Sequence, residues 1–419
     1  MIKALETEGA MNVRRLRKPT IFGSYFRWAL VATLIVGLPG CSGSSMGESK
    51  AVSSRVESAP EPEPERRPAA IMAKWFENLP CPLPPPLPFV EGSSTLAVLP
   101  DTQVYTDRYP ETFERQVRWI VEQKQTYDIR FVLHLGDMTE RSSAREWQTA
   151  EKTMGLLDGV IPYAIATGNH DYEDKGWANT RRSPLSTHFP VAKMRKVGAL
   201  GGTYNAGVLD NSYHLFSAGN RDWIALMLEW GPRRGVVDWA NKVLQTYADR
   251  TAIVVTHAYL FHDNSRYDRI RDDQPWNPHH YPTAKLPGGV SDGEELWNDL
   301  ISHHGNIAMV LCGHVLGDGA GYLASKGDVG NTVHQMLSNF QMMPGGGRGY
   351  MRLLELLPDG KTVQVKTYSP MLDDFMTDDQ HQFVIELDVR LGRPCKNNQP
   401  CDPYADRKKT SGDGANEGG

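Results

Sequence analysis

Between residues 96 and 171 the sequence alternates short apolar runs with amphipathic segments, and this alternation restricts the fold more than any other feature. The apolar runs are 96–99, 129–135 and 160–165, and apolar residues recur at helical spacing in the intervening segments 111–125 and 142–157. Short apolar runs joined by amphipathic helices are typical of parallel strands with right-handed crossover connections. The sequence therefore predicts a parallel sheet covered by helices.

Beyond residue 200 the pattern changes to closely spaced strands, followed by a second alternation of helices and strands. Strands that are separated only by turn residues favour antiparallel pairing. The predicted elements of this half are strands at 203–207, 212–218, 223–229, 251–256, 307–311, 333–337, 350–357, 363–368 and 382–388, and helices at 235–247 and 292–303. Together the two halves predict an α/β (α+β) fold, a four-layer sandwich of two mixed β-sheets flanked by helices.

Polar residues follow several predicted strands at the point where each strand ends. They are Asp101 and Gln103, Asp137, Asn169 and His170, His257, and His314. Because the carboxyl ends of parallel strands meet at one edge of a sheet, we expect these side chains to lie close together. Carboxylate, amide and imidazole groups are ligands of divalent metal ions. The sequence therefore predicts a metal site at this edge.

These residues belong to ordered motifs: Asp-x-Gln, Gly-Asp, Gly-Asn-His-Asp, a strand-end His and Gly-His, between Asp101 and His314. The ordered set resembles the calcineurin-like metallophosphoesterase superfamily, and Asp101-Thr102-Gln103 resembles a bacterial branch of it in which Gln is the norm. The resemblance implies a metallo-dependent phosphatase-like fold and a hydrolase acting on phosphoric ester bonds, as a phosphatase or a phosphodiesterase. It also implies a dinuclear metal site with a bridging hydroxide that attacks phosphorus.

By the same resemblance each predicted site residue has a role. Asp137 would bridge the two ions, and His170 would be the general acid that protonates the leaving alkoxide. The ligands implied for the first metal are Asp101, Gln103 and Asp137, and those implied for the second are Asp137, Asn169, His257 and His314.

Two residues depart from the usual motifs of the superfamily. Gln103 stands where the first motif usually has His, and Leu316 stands where the last motif usually has a second His. Both changes fall on the first metal, which keeps only oxygen ligands and is expected to bind weakly. Mn²⁺, Fe²⁺, Zn²⁺ and Ca²⁺ are candidate ions, and oxygen-only ligation favours a harder ion at the Asp101/Gln103 site.

Two regions outside these motifs are candidates for substrate contact. Glu140 and Arg141 follow Asp137, roughly where a phosphatase branch of the superfamily has an acid that orients the catalytic His and an Arg that binds phosphate. A solvated pair of loop residues is the alternative. Residues 262–287 lie between His257 and the next helix, in the place of a substrate-shaping loop or of an ordinary surface insertion.

The first 40 residues predict export. Six basic residues against two acidic ones accompany the apolar segment 28–38, which is shorter than the ~20 residues of a membrane-spanning helix. The segment ends in Leu-Pro-Gly-Cys, which resembles a bacterial lipobox and would make Cys41 the lipidated first residue of the mature chain. Plain secretion and a retained anchor are the alternatives. Ser42 after this cysteine favours, by resemblance to lipoprotein sorting, the outer membrane of the bacterial cell envelope.

The predicted domain boundaries are a signal peptide at 1–40, a disordered Ser/Glu/Pro-rich tether at 41–90, a metallophosphoesterase domain at 91–390 and a polar disordered tail at 391–419. The tether and the tail are too polar to bury the apolar area that folding requires. In an exported protein Cys395 and Cys401 are the expected disulfide pair, although Cys81 competes for either. Cys312 is expected to be a buried thiol.

The charge balance limits the class of function. The formal net charge is −5, and because the first 40 residues are basic the remainder is more acidic still. No nucleic-acid partner is expected, and a nuclease is disfavoured, since both need a basic surface. The predicted partners are a phosphorylated substrate of unknown class and a membrane, reached through the lipid anchor. A non-catalytic surface lipoprotein that retains the fold as a binding module is the alternative to an enzyme.

Overall fold

The computed structural model describes residues 83–173, 175–395 and 401–405. The predicted signal peptide, Cys41, Cys81 and residues 41–82 of the predicted tether lie outside these ranges. Within them, no helix combines the length and the apolar character that a membrane crossing requires.

The predicted strands and helices are present in the predicted order among the described residues, together with further elements between them. The strands are β1 (Ser94–Leu99), β2 (Ile129–His134), β3 (Tyr163–Ile165), β4 (Leu200–Thr203), β5 (Ser212–Ala218), β6 (Arg221–Met227), β7 (Thr251–Val255), β8 (Ile307–Cys312), β9 (Ala320–Lys326), β10 (Thr332–Ser338), β11 (Met351–Leu356), β12 (Thr362–Ser369), β13 (Asp374–Met376) and β14 (Phe383–Glu386). The helices are α1 (Gln103–Arg108), α2 (Pro110–Glu122), α3 (Ala144–Met154), α4 (Leu185–His188), α5 (Val191–Val197), α6 (Arg234–Thr246) and α7 (Gly293–Leu296), which continues into a π-helical turn at Trp297–Ile301.

The strands form two seven-stranded mixed sheets. The first has the order β13-β12-β11-β1-β2-β3, with β14 paired to β12. Strands β1, β2 and β3 are parallel, and β11 runs antiparallel to β1. The second sheet has the order β4-β5-β6-β7-β8-β10-β9, in which β6, β7, β8 and β10 are parallel.

Alternate residues of each strand pack into different layers, because successive side chains of a strand point to opposite faces. In β1, Leu96 and Val98 join the core between the two sheets, while Ala97 and Leu99 face α2 and α3. A third cluster lies between the outer face of the second sheet and α6. The order helix, sheet, sheet, helix confirms the predicted four-layer sandwich of two mixed sheets.

Local sequence signals explain where individual helices begin. Before α3, the Ser143 hydroxyl accepts a hydrogen bond from the Glu146 N–H, and the Glu146 carboxylate accepts one from the Ser143 N–H. This reciprocal pair satisfies backbone donors that would otherwise have no partner in the first turn. Helix α2 begins with Pro110, whose fixed φ suits the first helical position.

Several predicted elements differ from the structure. The strand expected at 203–207 lies at Leu200–Thr203, and the single helix expected at 292–303 is α7 followed by the π-helical turn. Strand β9 was not predicted. It pairs antiparallel with β10, which supplies its backbone hydrogen bonds. Its own residues show no strong strand pattern, so the pairing with β10 decides its conformation.

The ordered domain extends beyond both of its predicted boundaries. On the N-terminal side, Leu87 N–H donates to Gln382 and Val90 N–H donates to Glu355, so part of the predicted tether is attached to the domain. On the C-terminal side, the predicted disulfide between Cys395 and Cys401 is present. Tyr404 is 3% exposed and its hydroxyl donates to Asn306 Oδ1. Residues 391–395 and 401–405 of the predicted disordered tail are therefore packed against the domain, because backbone hydrogen bonds to Ala248 and Gln245 and the buried Tyr404 ring hold them.

Candidate metal centre

The predicted ligands lie together at the carboxyl ends of the parallel strands of both sheets. His257 Nε2, after β7, is 3.0 Å from Asp137 Oδ2, after β2, and 4.0 Å from Asp101 Oδ2, after β1. Ligand atoms of Asp137, His257 and His314 all lie within 4.8 Å of one another, and all three residues are buried. The sandwich therefore brings residues from two different sheets into one cluster.

Strained backbone surrounds this cluster. Asp137 and His314 both adopt left-handed conformations, with φ of 48° and 74°, which cost free energy for residues other than glycine. Gly168 and Gly313 pack so closely on the carboxylates of Asp137 and Asp101 that a Cβ atom at either position would overlap them. The glycines of the motifs thus serve close approach of backbone to carboxylate.

Three histidines are oriented by backbone carbonyl groups. His257 Nδ1 is 2.9 Å from Leu135 O, and His314 Nε2 is 2.9 Å from Trp276 O. His170 Nδ1 is 2.7 Å from Glu140 O. A carbonyl oxygen only accepts hydrogen bonds, so each of these nitrogens carries a proton. The other ring nitrogen of His257 and of His314 is the one that can bind a metal, and Nε2 of His170 is the one that can carry a transferable proton.

Two predicted ligand oxygens are buried without a hydrogen-bond partner among the described residues. They are Gln103 Oε1 and Asn169 Oδ1, whereas His257 Nε2 is paired with Asp137 Oδ2. A buried polar atom without a partner costs about 1–3 kcal/mol, so both oxygens need an explanation. Both oxygens can donate a lone pair to a metal, as can the Nε2 of a neutral His257, and the residues present therefore fit a bound divalent cation.

The buried charges at the centre depend on each other. Burial alone would lower the pKa of His257, but the carboxylates of Asp137 and Asp101 outweigh it and raise the pKa to about 9. Burial would raise the pKa of Asp137, but the imidazoles of His257 and His170 lower it well below the ordinary range. For Asp101, burial and the charge of Asp137 raise the pKa to about 8, although the imidazole of His257 acts to lower it. A metal ion that binds His257 must displace its proton.

Asp171, the last residue of the Gly-Asn-His-Asp motif, holds two loops together. Its carboxylate accepts hydrogen bonds from the N–H groups of Gly168, Met138 and Thr139, at 3.0, 3.2 and 2.9 Å. These donors belong to the segments that carry Asn169 and Asp137. Burial raises the pKa of Asp171 to about 6, although the hydrogen bonds from the three N–H groups act to lower it. Asp171 therefore fixes the spacing between two predicted ligands.

Glu140 and Arg141 lie beside the centre with different contacts from those predicted. The backbone carbonyl of Glu140, rather than its carboxylate, contacts the His170 ring. The Arg141 guanidinium is 52% exposed and pairs with Asp107 Oδ1 at 3.0 Å. Its role in phosphate binding stays a prediction.

The segment between β7 and α7 reaches the centre through Trp276 and Tyr281. The carbonyl of Trp276 holds His314, and Trp276 itself adopts a left-handed φ of 62°. The Tyr281 ring packs edge-on against Trp230, 4.8 Å away between centroids, and Trp230 packs against His314. The segment thus covers one side of the predicted second-metal site.

Sequence reasoning did not identify some residues at the centre. They are Trp230, which packs against His257 and His314, and Gln341, whose side-chain amide donates to Asp101 Oδ2 at 3.3 Å. Neither belongs to a motif with ligand spacing, so the sequence carried no signal for them. Gln341 follows β10, and the structure shows that β10 is parallel to β8, the strand that precedes His314. This pairing brings Gln341 to the centre.

Comparison with known sequences identifies the family. A sequence profile of the calcineurin-like phosphoesterases matches residues 94–318, more than half of the chain. The chain belongs to the calcineurin-like phosphoesterase family. The matched region begins at β1 and includes every metal ligand that the sequence predicts.

Individual proteins that are similar to this family member have low sequence identity to it. The uncharacterized protein YvnB of Bacillus subtilis (strain 168) is 30% identical over 324 residues, which cover 73% of this chain but 22% of YvnB. Purple acid phosphatase PPD1 from yellow lupin seeds gives a TM-score of 0.42 at 12% identity, over 73% of this chain and 55% of that chain. A 5'-nucleotidase precursor from Thermus thermophilus gives 0.36 at 13% identity, over 70% and 55%. Identities this low carry no information about the substrate.

Proposed function

We propose that this chain is an exported, metal-dependent phosphoesterase that hydrolyses a phosphate ester at a dinuclear site. The observation that carries the proposal is the buried group of Asp137, His257 and His314, with ligand atoms within 4.8 Å of one another. Burying an acid and two imidazoles in one place stabilises a fold poorly, so such a group favours a functional role. Bound divalent ions would neutralise the phosphate and activate water for in-line attack on phosphorus.

The donor atoms divide between two ions in this proposal. Asp137 is assigned to both, because its carboxylate is 3.0 Å from His257 Nε2 and it follows β2, the strand that pairs with β1, after which Asp101 stands. The further donors to the second ion are Asn169 Oδ1, His257 Nε2 and His314 Nδ1, and those to the first are Asp101 and Gln103 Oε1. The two sites therefore differ in chemistry, with imidazoles at the second and oxygens alone at the first.

His170 is the general acid of the proposal. Its Nδ1 is hydrogen-bonded to Glu140 O, and its backbone N–H donates to Asp137 Oδ1 at 2.9 Å. These two contacts fix the ring beside the bridging carboxylate and leave Nε2 to hold the proton that the leaving alkoxide takes. Proton transfer from a positioned side chain contributes about 10²- to 10⁴-fold to a rate.

Charge favours an anionic substrate once the ions are bound. Two divalent cations exceed the combined charge of Asp101 and Asp137, so the loaded site attracts phosphate. Arg141 follows Glu140, the residue that contacts the His170 ring, and its exposed guanidinium suits phosphate oxygens. The substrate class stays open between monoesters and diesters, and among phosphoproteins, nucleotides and lipid head groups.

Export and a lipid anchor on Cys41 complete the proposal. Their support is the basic residues and short apolar segment that precede the Leu-Pro-Gly-Cys sequence. A location in the bacterial outer membrane would place the active site in the cell envelope. No nucleic-acid partner is part of the proposal, because the chain is acidic.

A non-catalytic binding module is the second candidate. The observation that favours it is the scarcity of ligands at the first site, where Gln103 and Leu316 replace the usual histidines of the family. One-metal binding without turnover would support this alternative.

Assays of the purified full-length chain with added Mn²⁺, Fe²⁺, Zn²⁺ or Ca²⁺ test the proposal. We expect hydrolysis of a chromogenic phosphomonoester or diester with at least one of these ions, and loss of hydrolysis after chelation. Metal analysis on the same samples gives the stoichiometry. No turnover with any ion, together with one metal or none per chain, would overturn the enzyme and leave the binding module.

A further inference from the structure

The first metal site, as proposed above, has too few protein ligands. Asp101, Gln103 and Asp137 supply its oxygens, whereas hard divalent cations in proteins take about six or more oxygen ligands. Water can fill some of these positions. A further side-chain oxygen close to Asp101 belongs to Gln341, whose amide contacts the Asp101 carboxylate.

Gln341 reaches the centre through the topology of the second sheet. Strand β10 is parallel to β8, with Leu337 opposite Cys312, so both strands end at the same edge. His314 follows β8 at that edge, and Asn339 and Gln341 follow β10. The loop after β10 is therefore a further strand-end loop of the same kind as those that carry the predicted ligands.

The side-chain amide of Gln341 contacts Asp101 directly. Its Nε2 donates to Asp101 Oδ2 at 3.3 Å, while the backbone N–H of His314 donates to the same oxygen at 3.1 Å. Among the described residues, Gln341 Oε1 accepts no hydrogen bond. Because Nε2 and Oε1 share one carbon atom, a side chain held at Asp101 by its nitrogen keeps its oxygen in the same region.

The loop that carries Gln341 is fixed at both ends. Asn339 Oδ1 accepts from the Gln341 N–H at 3.1 Å, and the Asn339 N–H donates to Gly319 O at 2.8 Å. Asn339 is 3% exposed, and its Nδ2 has no hydrogen-bond partner among the described residues. This NH₂ group is a donor, so it does not bind a cation, and the Asn339 side chain serves to position the Gln341 backbone.

The glycine-rich turn Pro344–Gly347 then packs this loop against α1, the helix that begins with Gln103. Gly346 lies so close to Val104 that an added Cβ atom would be 2.5 Å from Val104 Cγ1. The N–H of Gly349 donates to the Tyr105 hydroxyl at 2.9 Å. Since the loop is already ordered against the first-site helix, little conformational entropy remains to be lost when Gln341 binds a ligand.

We propose that Gln341 is a ligand of the first metal. Its Nε2 continues to donate to Asp101, and its Oε1 supplies an amide oxygen to the ion. The inference rests on the proposed dinuclear function and adds to it a residue from a strand-end loop that the motifs do not include. It also favours a hard ion such as Mn²⁺ at this site, because the added donor is an oxygen.

Calorimetric titration of the metal-free full-length chain with Mn²⁺ alone tests the inference without any assay of turnover. In Gln341→Leu we expect the weaker of two binding steps to lose about 10- to 100-fold in affinity, and the tighter step to stay unchanged. Gln341→Glu retains an oxygen at this position and removes the N–H donor, so the weaker step should match or exceed the wild-type affinity. Met342→Ala is the matched control, because Met342 is the exposed neighbour of Gln341 in the same loop.

Different outcomes separate this inference from the proposed function. If wild type binds two Mn²⁺ ions and Gln341→Leu binds both within about twofold of wild type, the inference fails and the dinuclear function stands. If Gln341→Glu weakens the step as much as Gln341→Leu, the amide only orients Asp101 and the ligand role is wrong. If wild type binds no Mn²⁺, Zn²⁺ or Fe²⁺, the proposed function itself fails. Circular dichroism melts of each variant show whether it is folded.

Discussion

The two halves of the candidate metal centre are built in different ways. The second half contains imidazoles whose remote nitrogens are held by the carbonyls of Leu135 and Trp276. The first half contains oxygens only, from Asp101, Gln103 and, by our inference, Gln341. Fixed imidazoles lose little freedom on binding a metal, whereas amide oxygens are neutral and weaker donors. In the proposed function the second half is therefore expected to be the stronger site, and the first half to decide whether the centre becomes dinuclear.

This difference explains how the chain can keep the metal-binding motifs of its family although its first site has few ligands. An ion in the second half requires no contribution from Gln103 or Gln341. Catalysis at a dinuclear centre requires both halves, so metal supply to the weaker one would limit activity. Variants of the two halves, and of the residues between them, test this comparison.

Loss of the shared carboxylate should have the largest effect. Asp137→Asn keeps the shape of the side chain, and Asn tolerates the left-handed φ of 48° at this position. We expect both binding steps to weaken and turnover to fall by about 10³-fold or more, since the residue serves both ions. Metal analysis and steady-state kinetics measure the two effects.

Asp128→Asn is the matched control for this variant. Asp128 also has a left-handed conformation, with φ of 44°, but lies before β2, at the opposite end of the strand from Asp137. It should leave metal content and turnover unchanged. If Asp137→Asn retains two tightly bound ions, the carboxylate does not bridge the two halves.

Removal of the proposed acid should affect rate without affecting either half of the centre. His170→Ala is expected to lower turnover by about 10²- to 10⁴-fold while metal content stays at the wild-type value. His303→Ala, at a half-exposed histidine paired with Asp328, is the control. Normal turnover in His170→Ala would remove its role as acid, and loss of metal would show that His170 supports the ligands instead.

Single substitutions in each half should separate the two binding steps. His257→Asn removes an imidazole from the second half, so the tighter step should weaken by about 10- to 100-fold or disappear. Gln103→Ala should weaken only the looser step, because its amide lies in the first half. Each variant is the control for the other in Mn²⁺ titrations. Equal effects of both variants on both steps would contradict the division of the centre into unlike halves.

A gain of function at the first half gives the smallest expected effect. Gln103→His introduces an imidazole in place of the amide oxygen and should strengthen the looser step for Zn²⁺ by about 10-fold relative to Mn²⁺, because imidazole suits Zn²⁺. Competition titrations with the two ions measure this ratio. An unchanged ratio would mean that residue 103 does not contact the first metal.

Much of the fold was predictable from local patterns. The apolar runs of β1 and β2 and the helical spacing of apolar residues in α3 reflect burial of these elements in the core. The Ser143–Glu146 capping pair marks where α3 begins. Strand β9 and the shifted strand β4 were not predictable, because their pairing partners rather than their own residues decide them. The packing of Tyr404 was missed for a similar reason, since the polar composition of this segment concealed one buried ring, although the disulfide beside it was predicted.

The sequence by itself determined which chemical groups stand at the strand ends, because each group follows an apolar run within a few residues and can be recognised from that short stretch alone. These groups are Asp101, Asp137, Asn169, His257 and His314. Only the tertiary structure decided how those groups are oriented. The His314 ring is held by a backbone carbonyl of Trp276, and backbone groups carry no residue code. Gln341 contacts Asp101 across 240 residues because β10 ends beside β8. Such contacts depend on the packing of two sheets, which no short stretch of sequence specifies.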